Sequence, residues 1–445
     1  SITMFKSKQK NGKILHKELF TLNQECHINK VTNSSKNHFF GFHDLCPWDE
    51  DEEFILAIQT DLIHRAPTHS DYATIGIIDL KNNNSFIPLA ETSAWNFQQG
   101  SRQQWIPIKD KKIIYNDRIS GKLKSILLDI NTKEKEIFNF PIYSVHPDGN
   151  FAFGVNFDRL QKTGGYGYSS PEKDLKFDHI PENDGIFKID FSNGKVELVI
   201  PISQVISSMK DNIDNTENHY LTHITFNSSG NRICFIHRYW TKDGGAPNRL
   251  ISSNIDGSEM YVYPITVTHF NWLNDNQIIA FGRNRPLMAK IRQKNIFSFP
   301  LFKPILNLVR NTRSHLRQHI VGERYFLLND KKKESRTLGL GVLTNDGHPM
   351  ASPDKKFFVT DTYANSNHFR ELMLFNIEEN QKINVGKFFS LPNITEAIGN
   401  DWDNSAMRAD LHPRWNRKGS MICIDSVHNG TRQIYTIDVS KLTKT

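Results

Sequence analysis

The stretch that decides the fold is "DLHPRWNRKGSMICIDSVHNGTRQIYTIDVS", residues 410–440. A polar turn, "NRKG", leads into the apolar segment "SMICIDS", and after an Asn-Gly turn "QIYTIDVS" alternates with a period of two. An Asn-Gly pair between two such segments is typical of a β-hairpin. The stretch therefore predicts paired antiparallel strands, entered through a loop that carries Asp410, His412 and Arg414.

The same order of turn, strand, turn and strand recurs along the chain, for example in "YSVHPDGNFAFGVNFDR" and "LTHITFNSSGNRICFIHRYW". Each copy is too small to bury both of its faces, so the copies are expected to stack around a common axis. Seven copies predict an all-β fold, a seven-bladed β-propeller. A β-sandwich with a second domain accounts for the strands but not for their repeated order. The predicted blades of this single domain are approximately 38–91, 92–141, 142–200, 215–266, 267–345, 346–390 and 405–440.

Residues 13–30 and three insertions, 159–185, 201–218 and 283–322, fall outside the repeat. Residues 13–30 are predicted to supply an outer strand that closes the ring against the last blade. Residues 283–322 form a basic, partly helical insertion in the fifth blade, with apolar clusters such as "IFSFPLF" between the charges. A basic amphipathic segment can lie on an anionic membrane surface or dock a partner. A solvated lid over the propeller is the alternative.

Composition limits the class of protein and its partners. The 445 residues, 38% hydrophobic and 23% charged, suit a globular protein with a large core. The formal net charge of +7 favours an acidic partner such as a polyanionic glycan or an anionic lipid surface. Nucleic acid is disfavoured because the positive charge is concentrated in one insertion. The four cysteines form no CxxC pair, which argues against a disulfide scaffold or a zinc ribbon.

No run of apolar residues is long enough for a membrane span, and the first residues do not resemble an export signal. We therefore expect a cytoplasmic protein, either free or peripheral to the inner membrane. An exported form whose signal has been removed is the alternative.

The loops that enter successive blades converge around the central channel of a propeller. In this chain many of them carry histidine, beside acidic, amide and guanidinium groups. The converging residues are His43, Asp44, Gln98, Gln99, Arg102, His146, His219, His223, His269, His348, Asp410, His412 and Arg414. Such a cluster predicts a metal site, an acid–base site, or both. The alternative for any one histidine is a hydrogen bond to the backbone of a neighbouring blade.

The repeat resembles that of TolB-type propellers, and its histidine-bearing entry loops resemble those of the seven-bladed polysaccharide lyases. These include oligogalacturonate lyase and the propeller-type ulvan lyases. The resemblance implies β-elimination on an acidic, uronate-containing polysaccharide, in which a cation neutralises the carboxylate. A base then removes the C5 proton and an acid protonates the departing O4. The resemblance also implies a divalent metal such as Zn, Mn or Ca.

Carried onto this chain, the resemblance gives three sets of candidate residues. The catalytic candidates are Tyr168, Tyr166, His43, His223 and Arg238, with Arg238 binding the carboxylate. The metal candidates are His269, His348, His412 and Asp410. The substrate-binding candidates are Gln99, Arg102, Asn116, Tyr363 and Arg414. The chain departs from the pattern at Gln99 and Asn116, where histidine is expected, because amides orient hydroxyls but do not act as bases at neutral pH.

Three functional hypotheses follow. The first is a polysaccharide lyase. The second is a membrane-associated enzyme of surface-polysaccharide or capsule biosynthesis, glycosyltransferase-like or glycan-modifying, which the basic insertion favours. The third is a non-catalytic glycan-binding or scaffold propeller that uses the same channel mouth only to hold a ligand.

Overall fold

The computed structural model describes residues 19–62, 65–108, 110–164, 166–210, 213–284, 318–319, 321–390 and 409–444. Within these ranges the strands form seven antiparallel sheets. Each sheet is one blade, and in blades 1 to 5 the strands follow one another in chain order from the inside outward, while blades 6 and 7 each gain an N-terminal strand at the outer edge. The predicted all-β, seven-bladed propeller is confirmed.

The strands have the following bounds. Two strands precede the first blade: β1 (Phe20–Leu22) and β2 (His27–Lys30). Blade 1 consists of β3 (Asn37–Phe39), β4 (Phe54–Thr60), β5 (Ala73–Asp79) and β6 (Ser85–Thr92). Blade 2 consists of β7 (Gln104–Trp105), β8 (Lys112–Ile119), β9 (Lys122–Asp129) and β10 (Lys135–Phe138). Blade 3 consists of β11 (Ser144–Val145), β12 (Phe151–Val155), β13 (Gly185–Asp190) and β14 (Val196–Pro201).

The remaining blades follow the same plan. Blade 4 consists of β15 (Thr216–Phe226), β16 (Arg232–Thr241), β17 (Asn248–Asn254) and β18 (Tyr261–Val262). Blade 5 consists of β19 (Ile265–Trp272), β20 (Gln277–Asn284), β21 (Arg324–Asn329) and β22 (Ser335–Leu338). Blade 6 consists of β23 (Met350–Ala351), β24 (Phe357–Asp361), β25 (Phe369–Asn376) and β26 (Gln381–Phe389). Blade 7 consists of β27 (Arg414–Trp415), β28 (Met421–Ser426) and β29 (Gln433–Asp438).

Two short helices lie beside blade 3: α1 (Phe157–Thr163) between β12 and β13, and α2 (Ile202–Ser207) after β14. A single 3-10 turn, Ile213–Asn215, precedes blade 4. No helix among the described residues is both long and apolar enough to cross a membrane. Most of the basic insertion at 283–322, namely 285–317 and 320, lies outside the described residues, so its helical and membrane-binding character stays a prediction.

The two N-terminal strands belong to the last two blades. Strand β2 pairs antiparallel with β29, with Ile28 opposite Ile437, and becomes the outermost strand of blade 7. Strand β1 pairs with β26, with Phe20 opposite Phe388, and adds a fifth strand to blade 6. Both pairings cover strand edges that would otherwise present unpaired backbone groups.

One turn, repeated in every blade, leads from the innermost strand to the second strand. In it the backbone N–H of a residue that we call the turn residue donates to the carbonyl of the first residue of the second strand. In blade 7 the N–H of Asn416 donates to the Met421 oxygen at 3.0 Å. The turn residues of blades 1 to 7 are Asp49, Ile106, His146, Asn227, Leu273, Ser352 and Asn416.

The polar residues of this turn explain the pattern "NRKG". The Asn416 Oδ1 also accepts the N–H of Met421 at 2.9 Å, and Asn227 and Ser352 make the same side-chain contact in their blades. Three residues after Asn416, Gly419 has a φ of 71°, a conformation that glycine adopts without strain. A polar residue followed by glycine therefore marks a blade.

The hydrophobic core lies between neighbouring blades. Ile422 and Ile424 of blade 7 are fully buried in one cluster with Val359 of blade 6. Burial of such a side chain contributes about 1.5–3 kcal/mol. Because each sheet has both faces covered in this way, the innermost strands are fixed around the axis, where polar side chains converge.

Candidate metal and acid–base site

The site is built from one position of the repeat, four residues before the turn residue. Blades 4, 5, 6 and 7 have histidine at this position: His223, His269, His348 and His412. Blade 2 has arginine, Arg102, and blades 1 and 3 have Leu45 and Ile142. The φ angles of Arg102, His223 and His412 are 54°, 59° and 42°. Non-glycine residues with such positive φ are uncommon, and strained backbone of this kind clusters at functional sites.

The histidine rings meet at the channel axis. Ring centres lie 4.2 Å apart for His269 and His348, and 4.4 Å apart for His348 and His412. His43 of blade 1 joins them at 5.4 Å from His348 and 6.2 Å from His412. Side chains from blades 1, 5, 6 and 7 can make these contacts only at the axis. We call His43, His223, His269, His348 and His412 the histidine cluster.

Phe42 fills the middle of the histidine cluster. Its ring centre lies 4.3 Å from His43, 5.1 Å from His223 and 5.2 Å from His412. Phe42 and four of the five histidines are buried, and His269 keeps 12% of its side chain exposed. His269 is thus the cluster member most open to a ligand in the channel.

Hydrogen bonds fix how four of the rings are protonated. His43 Nδ1 lies 2.7 Å from the Pro349 carbonyl, and His412 Nδ1 lies 2.8 Å from the Gly41 carbonyl. Nδ1 of His348 and Nδ1 of His269 contact the carboxylates of Asp361 at 2.8 Å and Asp346 at 3.1 Å. Because these oxygens only accept, each Nδ1 donates the proton and each Nε2 keeps its lone pair. The cluster therefore presents several unprotonated nitrogens.

Asp410, His348 and His412 form a group with the donor atoms of a metal site. Their ligand atoms lie within 4.8 Å of one another, and all three residues are buried. Asp410 Oδ2 is 3.6 Å from His412 Nε2 and 3.9 Å from His348 Nε2, while Oδ1 accepts a hydrogen bond from Arg370 at 2.6 Å.

Three features of this group fit a divalent cation. The donors, two imidazoles and a carboxylate, are those that divalent metals use. Carbonyl or carboxylate oxygens orient both rings, as in known metal sites. His412 Nε2 is buried without a hydrogen-bond partner, which is costly unless a ligand occupies the site.

Burial sets the charge of the histidine cluster. It lowers the pKa of His43, His223 and His412 well below the ordinary value, and repulsion from neighbouring imidazoles adds to the effect. Burial also opposes protonation of His348, but the Asp361 carboxylate outweighs it, so the pKa of His348 is raised. His412 can therefore bind a metal without first losing a proton, whereas at His348, whose pKa is raised, a metal competes with a proton for Nε2.

Arg238 and Tyr166, which we call the cationic arm, lie beside His223. The Tyr166 ring contacts His223 edge-on with ring centres 5.8 Å apart, and attraction to Tyr220 and Tyr166 outweighs burial and raises the pKa of Arg238. On the side of blade 6, the ring centre of Tyr363 lies 5.5 Å from that of His348. The structure thus brings Tyr166, Arg238 and Tyr363 to the histidine cluster.

Tyr168, expected from the resemblance to be catalytic, lies in the hydrophobic core. It is 1% exposed, stacks on Phe157 with ring centres 4.6 Å apart, and accepts a hydrogen bond from Asn116 Nδ2 at 3.0 Å. Burial raises the pKa of its hydroxyl above the ordinary value. Tyr168 is therefore a core residue, and its contact corrects the expectation of a substrate-binding role for Asn116 as well.

The two arginines expected to bind substrate are used in buried ion pairs. Arg102 makes two hydrogen bonds, 2.9 and 2.8 Å, to the carboxylate of Asp44 in the neighbouring blade. Arg414 pairs in the same way with Asp425, at 2.9 and 3.2 Å. Both guanidinium groups are inaccessible to solvent, which corrects the expectation. Gln99 is also buried, although its amide atoms have no hydrogen-bond partner, and its role stays a prediction.

His146 and His219 do not join the cluster. His146 is the turn residue of blade 3, and its Nε2 lies 2.9 Å from the Gly230 carbonyl. Nδ1 of His219 lies 2.9 Å from Nε2 of His237 within blade 4. His146 thus joins blade 3 to blade 4, and His219 pairs with a histidine of its own blade.

Sequence reasoning missed the groups that orient the rings: Asp346, Asp361, Arg370 and the Pro349 carbonyl. The contact of Asp361 with His348 depends on a strand hairpin that brings the two residues together. The spacing of four residues between a histidine and its turn residue identifies His223, His269, His348 and His412, but not His43.

No protein-family model and no curated protein matches the chain. Two solved structures have a similar fold over nearly the whole chain. An oligogalacturonate lyase from Vibrio parahaemolyticus is 12% identical with a TM-score of 0.58, covering 96% of this chain and 98% of that chain. An oligogalacturonate lyase in complex with manganese is 14% identical with a TM-score of 0.58, covering 94% of this chain and 96% of that chain. At these identities the similarity shows the fold.

Proposed function

We propose that the protein is a lyase that cleaves uronate-containing oligosaccharides or polysaccharides by β-elimination. The observation that carries the proposal is the histidine cluster, in which neutral, oriented imidazoles lie beside a carboxylate and near a cationic arm. The similarity in fold to two oligogalacturonate lyases, one of them in complex with manganese, supports the choice of substrate class.

His348, Asp410 and His412 would hold the divalent cation. Two nitrogen donors favour Zn²⁺ or Mn²⁺ over Ca²⁺, which prefers oxygen ligands throughout. Bound there, the cation would supply charge neutralisation of the uronate carboxylate, which acidifies the proton on C5.

Arg238 binds the substrate carboxylate in this proposal. A guanidinium group matches the two oxygens of a carboxylate with parallel hydrogen bonds. Attraction to Tyr220 and Tyr166 stabilises the charged form of Arg238, and Tyr166 in turn contacts His223 at the channel.

His269 is the base. It was expected to be a metal ligand, but its ring is the most exposed of the cluster, and its Nε2 carries a lone pair. The Asp346 carboxylate accepts a hydrogen bond from His269 Nδ1 at 3.1 Å. This carboxylate therefore stabilises the imidazolium that forms when His269 takes the C5 proton.

Tyr166 is the acid. Its half-buried side chain lies against His223, and its hydroxyl donates a proton to O4 as the C4–O4 bond breaks and the C4–C5 double bond forms. The proton lost from C5 stays on His269 Nε2, so the elimination is balanced. The phenolate left on Tyr166 is stabilised by the Arg238 guanidinium.

The test is to offer the metal-loaded protein a panel of uronate oligomers and polymers, beginning with oligogalacturonate, and to follow the ultraviolet absorbance of the unsaturated product. We expect product from at least one substrate, and a loss of about a hundredfold or more in kcat for His269→Gln. Absence of product across the panel would contradict the proposal. Glycan binding without turnover would favour the glycan-binding alternative.

A further inference from the structure

We propose that Asn96, in the loop that enters blade 2, is a positioning residue that holds Tyr166, the acid of the proposed function, beside His223. The inference rests on the proposed function, because Asn96 acts on the reaction only through Tyr166. The sequence did not single out Asn96, which is half-buried in the structure.

The segment that carries the acid is attached to the rest of the molecule at both ends. We call residues 163–164 and 166–168 the tyrosine segment. At one end the Thr163 carbonyl accepts a hydrogen bond from Trp240 Nε1 at 2.9 Å, and at the other end Tyr168 is buried in the core. Tyr166 lies between these two attachments, so its position depends on what holds the backbone there.

The side chain of Asn96 contacts the backbone of the tyrosine segment at this point. Its Nδ2 donates to the Gly167 carbonyl at 3.0 Å and lies 3.4 Å from the Tyr166 carbonyl. Because each peptide unit is planar, holding two successive carbonyls fixes the two peptide planes that follow the Tyr166 Cα. Asn96 therefore limits the positions that the Tyr166 ring can take against His223.

The loop of blade 2 fixes the orientation of the Asn96 amide. Its Oδ1 accepts the backbone N–H of Gln99 at 2.7 Å and that of Gln98 at 3.1 Å. The backbone of Asn96 also exchanges two hydrogen bonds with that of Gly100, at 3.0 and 2.9 Å. Since the amide oxygen accepts and the amide nitrogen donates, Nδ2 is the group that faces the tyrosine segment. One oriented side chain thus joins the entry loop of blade 2 to that segment.

Aspartate cannot replace asparagine in this role. In Asn96→Asp, one carboxylate oxygen still accepts the two backbone N–H groups of the loop, as aspartate does in turns of this kind. The second oxygen faces the carbonyls of Tyr166 and Gly167 and repels them, because a carboxylate only accepts hydrogen bonds. The substitution therefore preserves the loop and removes the attachment of the tyrosine segment, which separates a positioning role from a role in the loop alone.

The experiment compares wild type and Asn96→Asp, both loaded with Mn²⁺, on the uronate substrate that the wild type cleaves. We expect kcat to fall by at least about tenfold, since a misplacement of about 1 Å at a reacting group can cost about a hundredfold. The affinity for Mn²⁺ should not change.

A double-mutant cycle shows whether Asn96 acts through Tyr166. In the Tyr166→Phe background, Asn96→Asp should change kcat by less than about twofold, because the hydroxyl that it positions is already absent. Repulsion between the added charge and the substrate would act in both backgrounds. Wild-type kcat in Asn96→Asp, or an equal loss in both backgrounds, would overturn the inference.

Asn23→Asp is the matched control. Asn23 follows β1 at the outer edge of blade 6 and has the same pattern of contacts. Its Oδ1 accepts the N–H of Glu25 at 3.0 Å, and its Nδ2 donates to the Asn384 carbonyl at 2.8 Å. We expect wild-type kcat for Asn23→Asp. A loss as large as that of Asn96→Asp would show that the effect is not specific to the tyrosine segment, against the inference.

A second measurement does not depend on activity. Hydrogen exchange followed by mass spectrometry reports how readily residues 161–168 open. We expect exchange at least about fivefold faster in Asn96→Asp than in wild type, because a hydrogen bond is lost, and unchanged in Asn23→Asp. Equal exchange in wild type and Asn96→Asp would contradict the inference. Faster exchange in Asn96→Asp, together with a wild type that cleaves no uronate substrate, would support Asn96 as the residue that holds Tyr166 and show that the proposed function alone is wrong.

Discussion

Two buried polar regions of this propeller differ in one respect. In the ion pair of Arg232 and Asp330, between blades 4 and 5, every side-chain nitrogen of the arginine donates a hydrogen bond, and both carboxylate oxygens accept. In the histidine cluster, Nε2 of His43 and Nε2 of His412 are equally buried but have no hydrogen-bond partner. These two regions therefore differ in their unsatisfied lone pairs and not in their burial.

The largest expected effect on stability comes from removing one partner of the Arg232–Asp330 ion pair. Asp330→Ala leaves the Arg232 guanidinium buried without its counter-ion and removes an acceptor for Ser252 and Tyr263. We expect the free energy of unfolding to fall by about 3–5 kcal/mol, measured by urea denaturation. The affinity of the folded variant for Mn²⁺ should not change. A loss below about 1 kcal/mol would show that this pair does not hold the blades together.

His428 is a buried histidine outside the channel, and it tests stability alone. Burial lowers its pKa to about 4. In the unfolded chain it titrates near 6.5, so between these values the unfolded state binds more protons than the folded state, and stability falls as pH falls. The group contributes up to about 3 kcal/mol above pH 6.5, and this contribution is lost progressively down to pH 4.

His428→Phe should flatten this pH dependence, because its ring would still pack against Phe20, Phe388 and Tyr435. Unfolding free energies between pH 4.5 and 7 measure the effect. An unchanged slope would place the titrating group elsewhere.

In the histidine cluster, a substitution is expected to change stability only when Mn²⁺ is present. At a free Mn²⁺ concentration about a hundred times the dissociation constant, the wild-type protein should gain about 2.7 kcal/mol of stability. His412→Gln should lose most of this gain, because one ligand of the proposed site is missing. Thermal unfolding with and without Mn²⁺ gives the difference. Equal gains in both proteins would mean that the ion binds elsewhere.

The smallest effect is expected at Tyr168. Removing its hydroxyl in Tyr168→Phe leaves Asn116 Nδ2 without one of its acceptors, for a loss of about 1 kcal/mol in stability. Lyase activity should stay within about twofold of wild type. Tyr166→Phe is the contrasting variant, and its kcat should fall by about a hundredfold. Similar kinetics for the two variants would contradict the different roles of these tyrosines.

The fold was predictable from the sequence because its signal is local. In blades 3, 4 and 7 a polar turn residue and a glycine three positions later, as in Asn416 and Gly419, specify the turn between the first two strands. The alternating strands that follow then require neighbours on both faces.

The site was only partly predictable. The histidines near the blade entries could be recognised, but their partners lie far away in sequence: Asp44 faces Arg102, and Gly41 faces His412. Whether an arginine or a histidine is satisfied depends on these long-range contacts, so the sequence did not separate Arg414 from His412. The burial of Tyr168 is likewise set by packing between blades.

Metal analysis of the dialysed protein after loading with Mn²⁺ tests the central claim most directly. The account predicts one ion per chain in the wild type, one in His146→Gln, and none in a variant in which both His348 and His412 are replaced by alanine. One retained ion per chain in the double variant, or none in the wild type, would contradict it.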